Sequence, residues 1–383
     1  MKTTLAKLGL TLALSTALTV LVVVLFSRQA PAAPFRGRLL GDQPDGSTIK
    51  PTQTLSGTWG PGTITATTDV TITPGVIITV TPGTTIMISP TDSSGAGVDA
   101  GRVEFLVQNG AALRVNGPVT FTSRSATPSA ADWYGIRFTD GSSGWMDQVT
   151  IEYGVHALTL DTLNAIRVSN SALCHNRHAP AENATAYGAG IAIVSGAHLI
   201  TNTHVYENVV ISTGDAGQAF GGGIDIQGSG SNVINSLVYN NALTSTHAAV
   251  AVGAGVAVRG SANSSTIEGS QVTTNTVRAL GNSAGHGGGI GIHGATAAVI
   301  RGNLIASNRN DSYIAGGGGI GLTKGTTAAQ IAKNILFDNV VLTFGSIEAK
   351  GGGISSWDDN SVIIRNNLVI SNAALSPGDC QEF

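Results

Sequence analysis

Apolar and polar positions in the second half of this chain follow one repeated phrase. A cluster of small residues ends in Gly and is followed by Ile or Val: Gly190-Ile191, Gly223-Ile224, Gly255-Val256, Gly289-Ile290, Gly319-Ile320 and Gly353-Ile354. Successive intervals are 33, 32, 34, 30 and 34 residues. Each unit closes on an asparagine 18 to 20 residues later, at Asn208, Asn241, Asn275, Asn308, Asn339 and Asn372, with Asn176 one unit upstream. A fixed period of this size predicts a solenoid in which each unit packs only on its neighbours. Aligned on the asparagines, the position three earlier is always apolar: Leu173, Val205, Val238, Val272, Ile305, Leu336 and Val369. Five earlier stand Ser171, Thr203, Ser236, Ser270, Asn303, Asn334 and Asn367, all small or able to hydrogen-bond. One earlier stand His175, Glu207, Asn240, Thr274, Ser307, Asp338 and Ser371, all polar. The pattern predicts an inward apolar column, a polar ladder and a turn or solvent-facing column.

Stacked coils lie one β-spacing apart, about 4.8 Å, so equivalent residues touch along the stack. Asparagines in register then bond to the coils above and below, which makes their ladder structural. A glycine before each Ile fits a backbone needing positive φ or close approach. The next glycine follows each asparagine by 11 to 15 positions, so the segments between vary in length. These read as loops leaving one corner of the coil, and the edge they line is where function is expected.

Upstream, Val76–Val80 and Thr84–Ile88 each follow a Thr-Pro-Gly turn and read as strands. A Gly/Ser/Asp loop covers 89–101, and strands resume at Val103–Val107 and Ala112–Val115. Next come Asn-Gly-Pro-Val-Thr-Phe-Thr-Ser at 116–123, Asp-Trp-Tyr-Gly-Ile-Arg-Phe at 132–138 and Val-Thr-Ile-Glu-Tyr at 149–153. This order resembles the opening coils of secreted bacterial right-handed parallel β-helix proteins. The later Gly-Gly-Gly-Ile and apolar-x-x-Asn units are similar to the repeats of that superfamily, including polymorphic outer-membrane-type proteins. The resemblance implies an all-β chain with a single right-handed parallel β-helix of roughly ten coils over residues 63–383, its regular coils at about 165–376. The superfamily holds lyases, glycosidases and adhesins, so the likeness by itself carries no activity.

Residues 34–62, rich in Pro and Gly, are expected to form a flexible lead-in. Before them, Lys2 and Lys7 precede an uncharged run from Leu8 to Phe26 and an Ala-Pro-Ala at 30–32. Residues 1–33 thus read as a signal peptide or an N-terminal membrane anchor, and the protein as exported, extracellular or at the cell surface. After Asn372 eleven residues offer little polar cap, which suggests a truncated product or an end that pairs with another molecule.

Composition narrows the partners. Glycine accounts for 51 of 383 residues, charged residues for 11%, and the net charge is −3. Without a basic patch no nucleic-acid partner is expected. Polysaccharide or a cell-surface glycan or protein is the expected partner, and membrane contact only through an uncleaved N-terminus. The two cysteines, Cys174 and Cys380, are too few for a thiolate zinc site. Cys174-His175-Asn176-Arg177-His178 has no carboxylate beside it in sequence, so no metal and no cofactor are expected.

The strand that follows each Gly-Ile offers a column at Val194, Gln227, Arg259, His293, Thr323 and Trp357, predicted to face outward. Arg259, His293 and Trp357 are candidate sugar contacts, by charge-assisted bonds and stacking. Gly285-His286-Gly287 resembles the Gly-His-Gly of β-helical polygalacturonases, without that family's other motifs. It makes His286, with His293, Asp358 and Asp359, the catalytic candidates. Acidic pairs do not recur at equivalent positions of neighbouring units, as a glycosidase on a solenoid would need. The favoured reading is therefore a non-enzymatic, adhesin-like or glycan-binding protein working through its loop edge. The alternative is a carbohydrate-active lyase or hydrolase.

Overall fold

A computed structural model describes residues 41–247, 250–260, 264–345, 349–357 and 361–376. Its strands pair in parallel throughout, each with the strand about one repeat away. An 11-stranded sheet runs from Thr52–Gln53 to Ile354–Ser356 and contains every strand that follows a Gly-Ile phrase. A second wall carries two strands per coil, such as Leu199–Thr201 and His204–Tyr206. Together these make a parallel β-helix.

The columns read from the sequence occupy the places their chemistry requires. Leu173, Val205, Val238, Val272, Ile305 and Leu336 point inward and are fully buried. Burying one such side chain contributes about 1.5–3 kcal/mol. Val369, in the last described coil, is 51% exposed because no described coil covers it, and Ile364 beside it is similar. At the other end the core turns aromatic. Trp59, Phe121 and Trp133 surround Phe105 edge-on, with ring centroids 5.7–6.4 Å away.

The asparagines form a continuous ladder. The Asn275 carboxamide oxygen accepts from the Asn241 backbone N–H at 3.0 Å and from its side chain at 2.9 Å. Its own amide donates to the Val238 carbonyl at 2.9 Å and to Asn308 at 3.0 Å. The residue before each asparagine has φ between 53° and 57°, and Tyr153, at the equivalent place ahead of Gly154, has φ 65°. A left-handed residue turns the chain sharply there, so the polar column is a row of turns. The Ser/Thr/Asn column five earlier makes a second ladder by the same logic, continuous from Asn303 through Asn334 to Asn367.

Three local expectations change. Residues 41–62 do not form a loose lead-in: Gly57–Trp59 pairs with Ile78–Val80, Thr52–Gln53 with Thr71–Ile72, and Trp59 is fully buried. The β-helix thus begins before residue 63. The glycine directly before each Ile serves close approach alone. A Cβ on Gly255 would meet the Gly289 carbonyl at 2.6 Å, while positive φ falls on Gly253, Gly287 and Gly317, two residues earlier. Finally, the segments after each asparagine are strands as much as loops. Val209–Ser212 runs outward and Gln218–Phe220 returns, and such arms stack into a third, 10-stranded sheet. A separate small core of Val210, Ala219, Leu243, Ala251 and Val277 fills the space inside the arms.

Candidate functional site

The returning arm strands lie over the outer face of the 11-stranded sheet. Phe220, Val252 and His286 stack in register on the arm. Facing them, Asp225, Ala257 and Gly291 stack on the sheet. A Cβ on Gly291 would strike Val252, which shows how closely the two layers approach. The column at 227, 259, 293, 323 and 357 does point away from the core, but the arms cover much of it.

Arg259 forms a bidentate pair with Asp225, Nε to Oδ1 and Nη2 to Oδ2 both at 2.9 Å. The Asp225 side chain is 2% exposed. Burial pushes its carboxyl above the ordinary range, and the guanidinium opposes that shift. Arg259 also lies 4.5 Å from the Phe220 ring centre and 5.7 Å from that of Tyr187. His293 packs beside Phe220, and His286 meets Trp357 edge-on at 5.5 Å. Lys350 caps the Trp357 ring at 4.5 Å. With both histidines under 9% exposed, burial pushes each pKa down to about 4. Arg259, His293, His286 and Trp357 are therefore gathered into one seam, more interlayer packing than open stripe. Asp358 and Asp359 lie outside the described residues. Truncating Arg259 to Met is expected to cost about 3–5 kcal/mol by stranding a buried carboxylate. Adding Asp225→Asn should recover most of that loss, as read from urea midpoints.

The open space lies at the N-terminal end of the same seam. A cleft of about 570 Å³ is lined by Asp99, Arg102, Asp132, Tyr134, Arg177 and His178, with Ala179 and Pro180 at its rim. Three irregular segments meet there: the 89–101 loop, the stretch before Trp133, and the loop after Asn176. Arg102 is held by the Ala131 carbonyl at 2.7 Å and by Asp99 at 2.6 Å. Trp133, fully buried, anchors the second segment by donating to the Glu152 carbonyl at 2.8 Å. Arg177 is exposed, whereas neighbouring His178 is buried and has a pKa pushed down to about 4. The neutral His178 ring accepts from the Tyr187 N–H at 2.9 Å. Behind it His156, also buried, packs 4.2 Å from the His178 ring and keeps its pKa well below the usual value by burial.

Neighbouring coils do bring carboxylates together, contrary to the expectation from the repeats. Asp69 precedes Val70 and Glu104 precedes Phe105, and those two residues are register partners. Asp69 Oδ1 accepts from the Glu104 N–H at 2.9 Å. Glu104 Oε1 accepts from the Val98 N–H at 3.0 Å, so the 89–101 loop closes over it. Burial raises both carboxyl pKa values, with Asp69 and Asp99 adding to the rise for Glu104. The pair falls in the irregular first coils, where no repeat alignment reaches.

A second correction concerns Cys174 and His175. No carboxylate is near in sequence, but Glu152 lies one coil above and Glu207 one coil below. His175 Nε2 is 2.7 Å from Glu207 Oε2. One ligand atom each from Glu152, Cys174 and His175 lie within 4.8 Å of one another. Separations of 22 and 32 residues hide this grouping until the coils are stacked.

A family model described as "Right handed beta helix region" matches residues 187–376. No curated protein matches the chain by sequence. Among solved structures, the chain is similar to the periplasmic alginate epimerase AlgG, at 10% identity and a TM-score of 0.44, covering 81% of this chain and 77% of that one. A double mutant of AlgG gives 12% identity and a TM-score of 0.43, covering 84% of this chain and 79% of that one. The chain is a right-handed parallel β-helix protein.

Proposed function

We propose that this is an exported, glycan-binding β-helix, and that a saccharide docks in the cleft at the N-terminal end of the loop edge. The observation that carries the reading is the lining itself. Tyr134 and the two guanidiniums of Arg102 and Arg177 meet two carboxylates in one concave site. Aromatic rings offer a face for sugar C–H groups, while charged groups fix hydroxyls and carboxylates in orientation. Arg177, exposed and on the loop edge, is the arm best placed to reach ligand. The test is a glycan array followed by calorimetry on the best hit. Arg177→Ala is expected to weaken binding by at least about tenfold, the loss of one charge-assisted bond. Retention of full affinity by both Arg177→Ala and Tyr134→Ala would sink the assignment.

A carbohydrate-active enzyme is the second reading, favoured by the Asp69 and Glu104 pair. Adjacent carboxyls with raised pKa values suit acid–base work on a glycosidic bond. Glu104 is 3% exposed beneath its loop, so a substrate would require that loop to open. Reducing-sugar and unsaturated-product assays on a polysaccharide panel distinguish the two. Turnover abolished by Glu104→Gln would replace the binding reading with the catalytic one.

A further inference from the structure

We propose that Glu152, Cys174 and His175 form a site for a borderline divalent metal ion such as Zn²⁺, at the turn corner of the β-helix and separate from the cleft. The donor set is mixed: one carboxylate, one thiolate and one imidazole, a combination suited to zinc and its neighbours. Backbone register brings them together. Glu152 is the direct strand partner of Cys174. His175 follows with φ 57°, which swings its ring out at the turn. The three ligand atoms already converge within 4.8 Å of one another.

What surrounds each donor points the same way. His175 Nε2 is taken by Glu207 at 2.7 Å, while Nδ1 is buried without a hydrogen-bond partner among the described residues. A histidine whose one nitrogen donates to a carboxylate presents the lone pair of the other to a metal, and that carboxylate raises its basicity. Tyr153 stacks on the ring at 5.5 Å and fixes its plane. Glu152 Oε1 is oriented by the Thr122 hydroxyl at 2.8 Å. The Tyr206 hydroxyl lies beside the Cys174 sulfur. Glu152 and His175 thus each have an outer partner from a neighbouring coil. Cys, His and Glu thrown together by chance would not be supported in this way. On binding, the Cys174 thiol loses its proton to solvent, and water completes the coordination.

The test titrates Co²⁺ into the full-length chain carrying Cys380→Ser, so that Cys174 is the sole thiol. We expect one Co²⁺ per chain, a thiolate-to-cobalt charge-transfer band, and displacement by Zn²⁺. Cys174→Ser should abolish the band, and Glu152→Gln should weaken binding at least about tenfold. Glu207→Gln, which alters only the outer partner, should keep the band and weaken binding about 10–100-fold. Absence of the band in the parent would overturn the proposal, as would its survival in Cys174→Ser. Should Cys174→Ser fail to fold, undiminished Co²⁺ affinity in Glu152→Gln would overturn it instead.

Discussion

Asn275→Leu is expected to destabilise the β-helix by about 3–5 kcal/mol, although the two side chains have the same number of heavy atoms. The amide of Asn275 meets four groups on its neighbours. Leu would leave the Asn241 backbone N–H without its acceptor and remove a donor from the Val238 carbonyl. Each orphaned buried group costs on the order of 1–3 kcal/mol. Gln271→Leu, on the exposed face of the same coil, is the control and should shift stability by less than about 0.5 kcal/mol. Urea denaturation followed by circular dichroism reads both. Equal midpoints would mean that the ladder contributes nothing. Asn310 would have served as a loop control from sequence alone. It is instead fully buried in Arg309–Gly316 and bonded to the carbonyls of Gly285 and Gly316, so Asn310→Leu should also destabilise.

Stability is also expected to fall steeply as pH drops from about 6.5 towards 4. His178, His286 and His293 each have a folded pKa near 4, against an ordinary value of 6.5, because burial disfavours the charged ring. Below pH 6.5 the unfolded chain takes up protons that the folded chain refuses, so stability is lost through that window and levels off below about 4. At about 1.4 kcal/mol per unit, each histidine accounts for on the order of 3 kcal/mol by pH 4. Three together approach the whole net stability of an ordinary domain. His156 and His198, also shifted downward, act in the same direction. Asp69 and Glu104 oppose the trend, since their raised pKa values favour the folded state in acid. Urea midpoints between about pH 7.5 and 4.5 measure the slope, and His286→Phe should flatten it. A midpoint independent of pH would contradict the burial of these rings.

The regular coils were legible because stacking imposes one chemistry on each position. Val272 could be placed inward and Asn275 on a structural ladder from their equivalents alone, and both are buried. The turn column was legible as polar, though its left-handed backbone was not, since Glu, Thr and Asp have little in common except an exposed corner. Reading failed where an element had no repeat to align. Trp59 lies in a Pro/Gly-rich stretch that resembles a linker, yet it is pinned beneath Phe105. The arms were read as loops because many of their strands are short, two to four residues, and pair with other arms.

The candidate sites show the same division. Arg259, His293 and Trp357 were correctly placed on one column, because periodicity two determines which way a strand residue points. Periodicity says nothing of what lies opposite, so Phe220 and Tyr187 covering Arg259 could not be foreseen. The cleft around Tyr134 and Arg177, the Asp69–Glu104 pair and the Glu152–Cys174–His175 corner all join residues from different coils.

By itself, then, the sequence determined the parallel β-helix, its register, its inward column and its asparagine ladder. The solenoid and its columns follow from a local pattern repeated at a nearly constant interval, and their β-helical form from the resemblance carried by the opening coils and repeat units. Tertiary structure alone decided which outward residues are covered and which charges meet. Those outcomes depend on where irregular arms fold back and on contacts between neighbouring coils, and no single repeat encodes either.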